Sequence, residues 1–251
     1  MSAPAKLSER LPTMRFRHPA TLGFCCFLTA ATTVVTASPA AAAEPEYADW
    51  QLSGTSGTVT LPTTGFPLAE WETDSSGPQI HSGATTFLGA DTPFGAEFGS
   101  SQGQEYAFIR PAPRNQPSTT TFTFSGPTPA SGWGFATGDI DADTIQISGA
   151  DAEGNPVSAA QLGFQGGFNY CENVPKPGTC ASDPGNDVPA YSETGDTAVL
   201  TGNGPDTHGA SGWFKPTVPL SSLTFEFSVL QGSRVYQLWF ATQDDRGTAR
   251  R

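Results

Sequence analysis

The chain has few basic residues, and this shortage argues against two large classes of partner. Lys and Arg number 12 among the 251 residues, against 24 Asp and Glu, which gives a formal net charge of −12. Nucleic-acid binding depends on Lys and Arg contacts to phosphates, and anionic membrane surfaces attract the same side chains. We therefore expect neither nucleic acid nor an anionic membrane as partner. The acidic balance suits solubility, cations and neutral partners such as glycans.

Only one long apolar stretch is present, and it lies near the N-terminus. Residues 22–35 are mostly apolar, follow a basic lead and precede a run of small residues. A basic lead, a short apolar core and an Ala-x-Ala exit are the parts of a secretory signal peptide. The core is shorter than the roughly 20 residues of a membrane-spanning helix. The pattern predicts a signal peptide over residues 1–43, cleaved between Ala43 and Glu44, with Met14 as an alternative start.

Removal of the signal peptide makes the protein more acidic and places it outside the cell. Residues 1–43 contain four of the 12 basic residues but only Glu9 of the 24 acidic ones, so the mature chain has a net charge of −15. Its length suits one domain, because β-sandwiches and barrels reach about 200–250 residues. We predict a β-sandwich domain over residues 44–242, with no membrane span, and a polar C-terminal tail over residues 243–251.

Cysteine is scarce once the signal peptide is removed. Of the four cysteines only Cys171 and Cys180 remain. Two cysteines in an oxidising compartment are expected to pair, and closing so short a loop would stabilise the fold by roughly 2–3 kcal/mol. Two thiols with no histidine nearby lack the ligand set of a zinc site. The sequence therefore predicts a Cys171–Cys180 disulfide.

Long helical periodicity is also missing, and a two-residue alternation takes its place. Residues 121–124, 144–148 and 223–227 alternate apolar with polar side chains, which is the signal of a half-buried strand. Clusters of Gly, Pro and Asn separate such runs. Many short strands divided by turns predict an all-β fold, a single jelly-roll-like β-sandwich. The predicted strands lie near residues 47–53, 57–61, 79–88, 104–110, 118–125, 132–140, 143–149, 196–201, 221–229 and 234–242.

The densest acidic cluster is formed by Asp139, Asp141 and Asp143. On an extended strand these carboxylates would project from one face, about 6–7 Å apart. Calcium takes six to eight oxygen ligands and suits carboxylates in loops. The spacing is not that of an EF-hand, because Thr144 and Ala150 occupy the positions of its Gly and Glu. The cluster is interpreted either as a calcium site or as a solvated strand end or turn.

Catalysis is a third interpretation of the same acids. Retaining glycosidases use two carboxylates about 5–5.5 Å apart, but no spacing here identifies a partner acid. His81 and His208 remain in the mature chain, yet no Gly-x-Ser-x-Gly nucleophile motif accompanies them. We therefore predict no catalytic residue and favour a non-catalytic protein.

Tryptophan is plentiful, with five residues in the chain. Trp133 and Trp239 lie in apolar runs and are predicted to pack in the core. Trp50, Trp71 and Trp213 have more polar neighbours and are predicted to be exposed. An exposed indole ring can stack on the apolar face of a sugar, so these three are the candidate ligand-binding residues.

Four segments resemble a domain family of secreted and cell-surface proteins from high-GC Gram-positive (actinobacterial) bacteria. Residues 133–143 and 151–157 are similar to its central hairpin, and residues 209–216 and 236–241 resemble its closing strands. The resemblance implies a jelly-roll-like exported domain, and it brings no established catalytic residues. Some members are fused to wall-anchoring segments, a feature that we do not predict for this chain.

These observations predict a secreted, non-catalytic binding module for glycans or cell-surface components. A calcium ion held by Asp139, Asp141 and Asp143 would brace its loops. Two alternatives stay open: an extracellular glycoside hydrolase or lyase that uses acids around residues 139–143, and a structural envelope protein.

Overall fold

The computed structural model of this protein describes residues 46–111 and 116–243. The predicted signal peptide, its cleavage point and residues 244–251 of the predicted tail lie outside the described residues. All described residues belong to one compact unit, and none of their helices is long and apolar enough to cross a membrane. In chain order the elements are β1 (Glu46–Tyr47), β2 (Asp49–Ser53), β3 (Ser56–Thr60), β4 (Ala69–Thr73), β5 (Gln79–His81), α1 (Pro93–Phe98), β6 (Tyr106–Ile109), β7 (Ser118–Phe124), β8 (Trp133–Gly138), β9 (Asp143–Ala150), α2 (Ala159–Leu162), β10 (Phe164–Asn169), β11 (Ala190–Thr194), β12 (Thr197–Thr201), β13 (Ala210–Phe214), β14 (Ser222–Val229) and β15 (Tyr236–Thr242).

The strands form two antiparallel sheets. Sheet A has the order β10-β13-β8-β15-β6-β5, with β1 also paired to β15, and sheet B has the order β11-β12-β9-β14-β7-β4-β3-β2. The chain passes repeatedly from one sheet to the other, from β7 to β8 to β9 and again from β13 to β14 to β15. The prediction of an all-β sandwich is confirmed.

The two-residue alternation builds the core between the sheets. Phe122 of β7 and Phe225 of β14 are both buried, and their ring centroids lie 5.9 Å apart. The threonines between the phenylalanines face outward, and Thr121 hydrogen-bonds across the strands to Thr224 at 3.3 Å. Each fully buried Phe stabilises the fold by about 1.5–3 kcal/mol.

Sheet A is buried on its second face as well. Along β15, Leu238 and Phe240 belong to the core between the sheets, whereas Trp239 and Ala241 belong to a second apolar cluster. Helix α1 and the segment after β10 supply the covering residues of this cluster. As a result every residue of β8, β13 and β15 is buried, so these strands have no exposed face.

Helix α1 was not predicted, although its start follows from local chemistry. The Thr92 hydroxyl accepts a hydrogen bond from the Gly95 N–H, and Pro93 occupies the first turn. A Thr cap stabilises a helix start and Pro is favoured directly after it. The helix therefore begins at Pro93 and carries two buried rings, Phe94 and Phe98, onto sheet A.

The predicted disulfide is confirmed in the segment that covers sheet A. Cys171 and Cys180 are bonded, with their Cα atoms 5.3 Å apart, and both are buried in the second apolar cluster. Along the chain this segment lies between β10 and β11.

Candidate functional site

The three clustered aspartates lie in the connection from β8 in sheet A to β9 in sheet B. Asp139 has φ 67°, and it is the only residue other than glycine with a positive φ among the described residues. Asp is tolerated in this left-handed region better than most residues. Only Asp143 belongs to a strand, so the expectation of three carboxylates along one extended face is wrong. The chain turns here instead.

The turn is buried, so the interpretation of the three aspartates as a solvated strand end or turn is wrong. Asp139 is 9% exposed, and Asp141 and Asp143 are each 2% exposed. Buried charged side chains normally have partners. The burial of three adjacent carboxylates therefore requires a physical explanation.

The backbone of the turn is well satisfied. The Asp141 carbonyl accepts from the Gly204 N–H at 3.0 Å, and the Asp143 carbonyl accepts from the Gly202 N–H at 2.8 Å. The Ala142 carbonyl accepts two N–H groups at the end of β14. A Cβ at position 202 would lie 2.0 Å from the Asp141 carbonyl oxygen, so glycine permits this approach. The turn is thereby fixed between two neighbouring loops.

The side chains of the turn are not satisfied. Asp139 Oδ1, Asp141 Oδ2 and Asp143 Oδ1 are buried and have no hydrogen-bond partner. The other oxygen of Asp141 accepts from the Ala142 N–H at 2.7 Å. A buried polar atom without a partner is costly, and three such atoms lie within five residues.

Burial and like charges act together on the pKa values of these groups. Burial raises the pKa of Asp143 to about 9, with added contributions from the Asp141, Asp139 and Asp206 charges. Burial also raises the pKa of Asp139 well above its ordinary value, and Asp141 is the largest charge that adds to this. Burial raises the pKa of Asp141 too, while the Ala142 N–H opposes the shift. The site disfavours three uncompensated negative charges.

Two neighbouring buried aspartates, Asp183 and Asp187, have hydrogen-bond partners for their carboxylate oxygens. Asp183 accepts from the His208 N–H at 2.6 Å and from a second N–H in its own loop. Asp187 accepts from the Asn169 side chain at 2.6 Å and from the Thr207 hydroxyl. These two carboxylates hold the disulfide-bearing segment against the loop at residues 206–208. Here the fold supplies the donors that buried carboxylates need.

An open cleft of about 990 Å³ lies beside the turn. Asp139 and Asp206 both line it, which places a buried carboxylate of the turn at its floor. The Asp206 carboxylate is joined to the loop between β14 and β15, because it accepts from the Ser233 N–H at 3.0 Å. The cleft is also lined by amide, aromatic and basic side chains, among them Gln79, Phe108, Arg110, Tyr170, His208, Arg234 and Gln237.

The apolar aromatic ring in the cleft lining is that of Phe108, which was not predicted from the sequence. His81 stacks on it with centroids 4.8 Å apart and planes at 10°, and the Arg110 guanidinium lies 5.6 Å from its centroid. His81 also hydrogen-bonds to the Tyr106 hydroxyl and to Gln79, at 3.1 and 3.0 Å. Phe108 alternates with buried residues in β6, and this pattern alone does not distinguish it from a core residue.

The prediction that three tryptophans are exposed is wrong. Trp50, Trp71 and Trp213 are 3%, 2% and 8% exposed, while Trp133 and Trp239 are buried as predicted. Trp50 and Trp71 pack edge to face inside the sandwich, with centroids 5.9 Å apart. None of the three presents a ring face for sugar stacking in this structure.

Trp213 is covered by helix α1. Its ring lies edge to face against Phe94 and Phe98, with centroids 5.9 and 6.4 Å apart. The small residues beside it in β13 are buried as well. Polar or small neighbours therefore do not indicate exposure in a strand that is covered on both faces.

The turn has the chemistry of a cation site but not its finished geometry. Carboxylate oxygens are the ligands that calcium prefers, and the unpartnered oxygens supply them. As they stand, no three His, Cys, Asp or Glu side chains in the described part of the chain are arranged to hold a metal ion. An ion would require the carboxylates to rotate towards one point.

Comparison of the chain with protein families, with curated proteins and with solved structures found no match. The resemblance to secreted domains of high-GC Gram-positive bacteria therefore stays a prediction.

Proposed function

We propose that this protein is a secreted, non-catalytic module that binds a glycan in the cleft beside the Asp139–Asp143 turn. The observation that carries the proposal is the cleft itself, an open space of about 990 Å³ with mixed polar and aromatic lining. Ligand sites are concave and combine apolar surface with a few placed polar groups. An oligosaccharide needs both, because it presents hydroxyl groups and apolar ring faces.

The lining groups match a ligand that both donates and accepts hydrogen bonds. Arg110 donates only, Asp206 accepts only, and Gln237 can do both. The Tyr170 hydroxyl donates to Gln237 Oε1 at 3.0 Å, which orients that amide. Sugar hydroxyl groups pair with all of these side chains. Phe108, stacked on His81 and lying under the Arg110 guanidinium, supplies apolar surface beside these polar groups.

Two further observations support an extracellular ligand. The Cys171–Cys180 disulfide suits an oxidising compartment. The acidic charge of the chain disfavours nucleic acid as the occupant of the cleft. The predicted signal peptide would bring the domain to the same compartment as bacterial and plant polysaccharides.

The test is a glycan array probed with the purified protein, with hits measured by calorimetry. We expect binding to at least one glycan class, weakened at least about tenfold by Arg110→Ala or Phe108→Ala, which corresponds to about 1.4 kcal/mol. Glu72→Gln is the control, because Glu72 lies in β4 of sheet B and is exposed. Absence of any binding, or binding that both cleft substitutions leave unchanged, contradicts the proposal.

One observation favours the rival function, an extracellular glycoside hydrolase or lyase. Asp139 is buried, lies at the cleft and has a positive φ, and residues with unusual backbone conformation cluster at active sites. An acid whose pKa burial has raised is a typical proton donor in glycosidases. Turnover of a polysaccharide that disappears in Asp139→Asn would replace the binding proposal with this one. Neither binding nor turnover would favour a structural envelope protein.

A further inference from the structure

The turn at the floor of the cleft lacks partners for three buried oxygens. Asp139 Oδ1, Asp141 Oδ2 and Asp143 Oδ1 have no hydrogen-bond partner, and their side chains are more than nine-tenths buried. Each raises the cost of burying the others, since like charges at short range repel. The folded chain tolerates this arrangement only if something offsets the charge.

Asp183 and Asp187 show what the fold does when a buried aspartate has a purely structural role. Each of these carboxylates accepts at least two hydrogen bonds from named donors. In the turn, hydrogen bonds from Ala142 and Thr207 act on Asp141, but Asp139 Oδ1, Asp141 Oδ2 and Asp143 Oδ1 have no partner. The fold therefore satisfies Asp141 in part and leaves one oxygen of each of the three carboxylates unpaired.

Protonation alone is a poor answer to the missing partners. A protonated carboxyl group supplies only one O–H donor, so a proton shared between two of these carboxylates still leaves the third oxygen without a partner. A cation offsets the charge and uses the oxygens as ligands at the same time. The donor set contains oxygen only, which favours calcium over zinc or copper, whose sites prefer nitrogen and sulfur.

We infer that Ca²⁺ binds between the carboxylates of Asp139, Asp141 and Asp143, with Asp206 facing it from the loop at residues 206–208, and that the ion fixes the width of the cleft. The backbone of the turn is held by its hydrogen bonds to Gly202 and Gly204, so side-chain rotation brings the carboxylates together. Water and ligand oxygens complete the six to eight positions that calcium requires.

The ion links the two walls of the cleft. Asp139 belongs to the turn between the sheets, while Asp206 is joined to Ser233 in the loop between β14 and β15. Holding both carboxylates on one ion stabilises the cleft in one shape. Binding of the ion stands without the proposed function, whereas its effect on ligand affinity rests on it.

The first arm of the test measures the ion alone. Protein expressed from the full chain is treated with EDTA, dialysed and titrated with CaCl₂ by calorimetry and by thermal melting. We expect one bound ion per chain and a melting temperature that rises by about 5–10 °C at a hundredfold excess over Kd. No heat and no rise at millimolar calcium overturn the inference.

Variants locate the ion in the same arm. Asp143→Asn removes a carboxyl group whose ionised form burial disfavours, with little change in shape, so we expect it to fold, to melt higher than the wild type in EDTA and to lose the calcium response. Asp139→Asn is the second variant and should lose the response too. Glu72→Gln removes an exposed charge and should change neither value. A calcium response that survives in both asparagine variants places the ion elsewhere and overturns the inference.

The second arm repeats the glycan array and the calorimetry of its hits in calcium and in EDTA. We expect calcium to raise glycan affinity at least tenfold. Equal affinity in both buffers overturns the link between the ion and the cleft and leaves the proposed function intact. Absence of glycan binding in both buffers contradicts the proposed function, while the ion is judged by the first arm alone.

Discussion

At the scale of single residues, the candidate site depends on one close backbone contact. Gly202 approaches the Asp141 carbonyl so closely that an added Cβ would lie 2.0 Å from its oxygen. This contact, with the Gly202 N–H bond to Asp143, positions the turn that carries the aspartates. The prediction of the ligand-binding surface is also wrong at this scale, because it assigns ligand contacts to tryptophan instead of Phe108.

We predict that Gly202→Ala lowers the free energy of unfolding by about 2–4 kcal/mol, because the turn must move to admit the methyl group. Urea unfolding followed by circular dichroism measures the loss. Gly126→Ala is the matched control, since nothing lies within 4 Å of a Cβ at that position, and it should stay within about 0.5 kcal/mol of the wild type. Equal stability of the two variants would show that the contact does not exist in solution.

At the scale of elements, buried and exposed residues alternate along the central strands of sheet B, as the sequence predicts, but not along those of sheet A. In β7 and β14 the buried residues alternate with more exposed ones, so the strands were predictable from the pattern. In β13 every residue is buried, and its strand was recognised only through the family resemblance. A strand covered on both faces loses its polar face, and with it the alternation from which a strand is predicted.

The same reason explains the errors over tryptophan. Trp213 sits beside small residues that face the interior, so its neighbours imply exposure that the fold removes. Its cover, helix α1, has only six residues, too few for helical periodicity to show. The acidic triplet, in contrast, was visible from composition alone, but its burial required knowledge of which sheets the turn connects.

The strand β14 provides a prediction at this scale. Phe225→Ala removes a fully buried ring that contacts Phe122 and Phe135, and it should lower the free energy of unfolding by about 3–5 kcal/mol. Chemical unfolding measures this loss. Leu230→Ala, at a side chain that is 55% exposed just after β14, should cost less than about 0.5 kcal/mol. Similar losses in the two variants would contradict the assigned core.

The disulfide between Cys171 and Cys180 leads to a second prediction at the scale of elements. Replacing Cys171 and Cys180 with serine opens a loop of nine residues' separation and should lower the free energy of unfolding by roughly 2–3 kcal/mol. The comparison is between the double variant and the oxidised wild type in urea. An unchanged midpoint would mean that the segment is held by its hydrogen bonds and packing alone.

At the scale of the whole molecule, the fold buries all five tryptophans, three between the sheets and two beneath the cover of sheet A. Acrylamide should therefore quench the fluorescence of the folded protein weakly and that of the unfolded protein strongly. Leu230→Trp, which adds an indole at an exposed position, is the positive control and should introduce a readily quenched component. Strong quenching of the folded wild type would contradict the burial of Trp50, Trp71 and Trp213.

The fold also brings together three segments that lie far apart in the sequence. The turn at residues 139–143, the loop at residues 206–208 and the disulfide-bearing segment meet at one end of the sandwich, and the cleft opens among them. No local pattern reports such a meeting, because it follows from the order of strands in both sheets.

The most direct test of the account is a crystal structure of the protein grown with calcium, collected where calcium scatters anomalously. The account predicts an anomalous peak between Asp139, Asp141 and Asp143, with six to eight oxygen ligands at about 2.3–2.6 Å, at the floor of an open cleft. Well-ordered carboxylates that remain apart, with no peak between them, would contradict it.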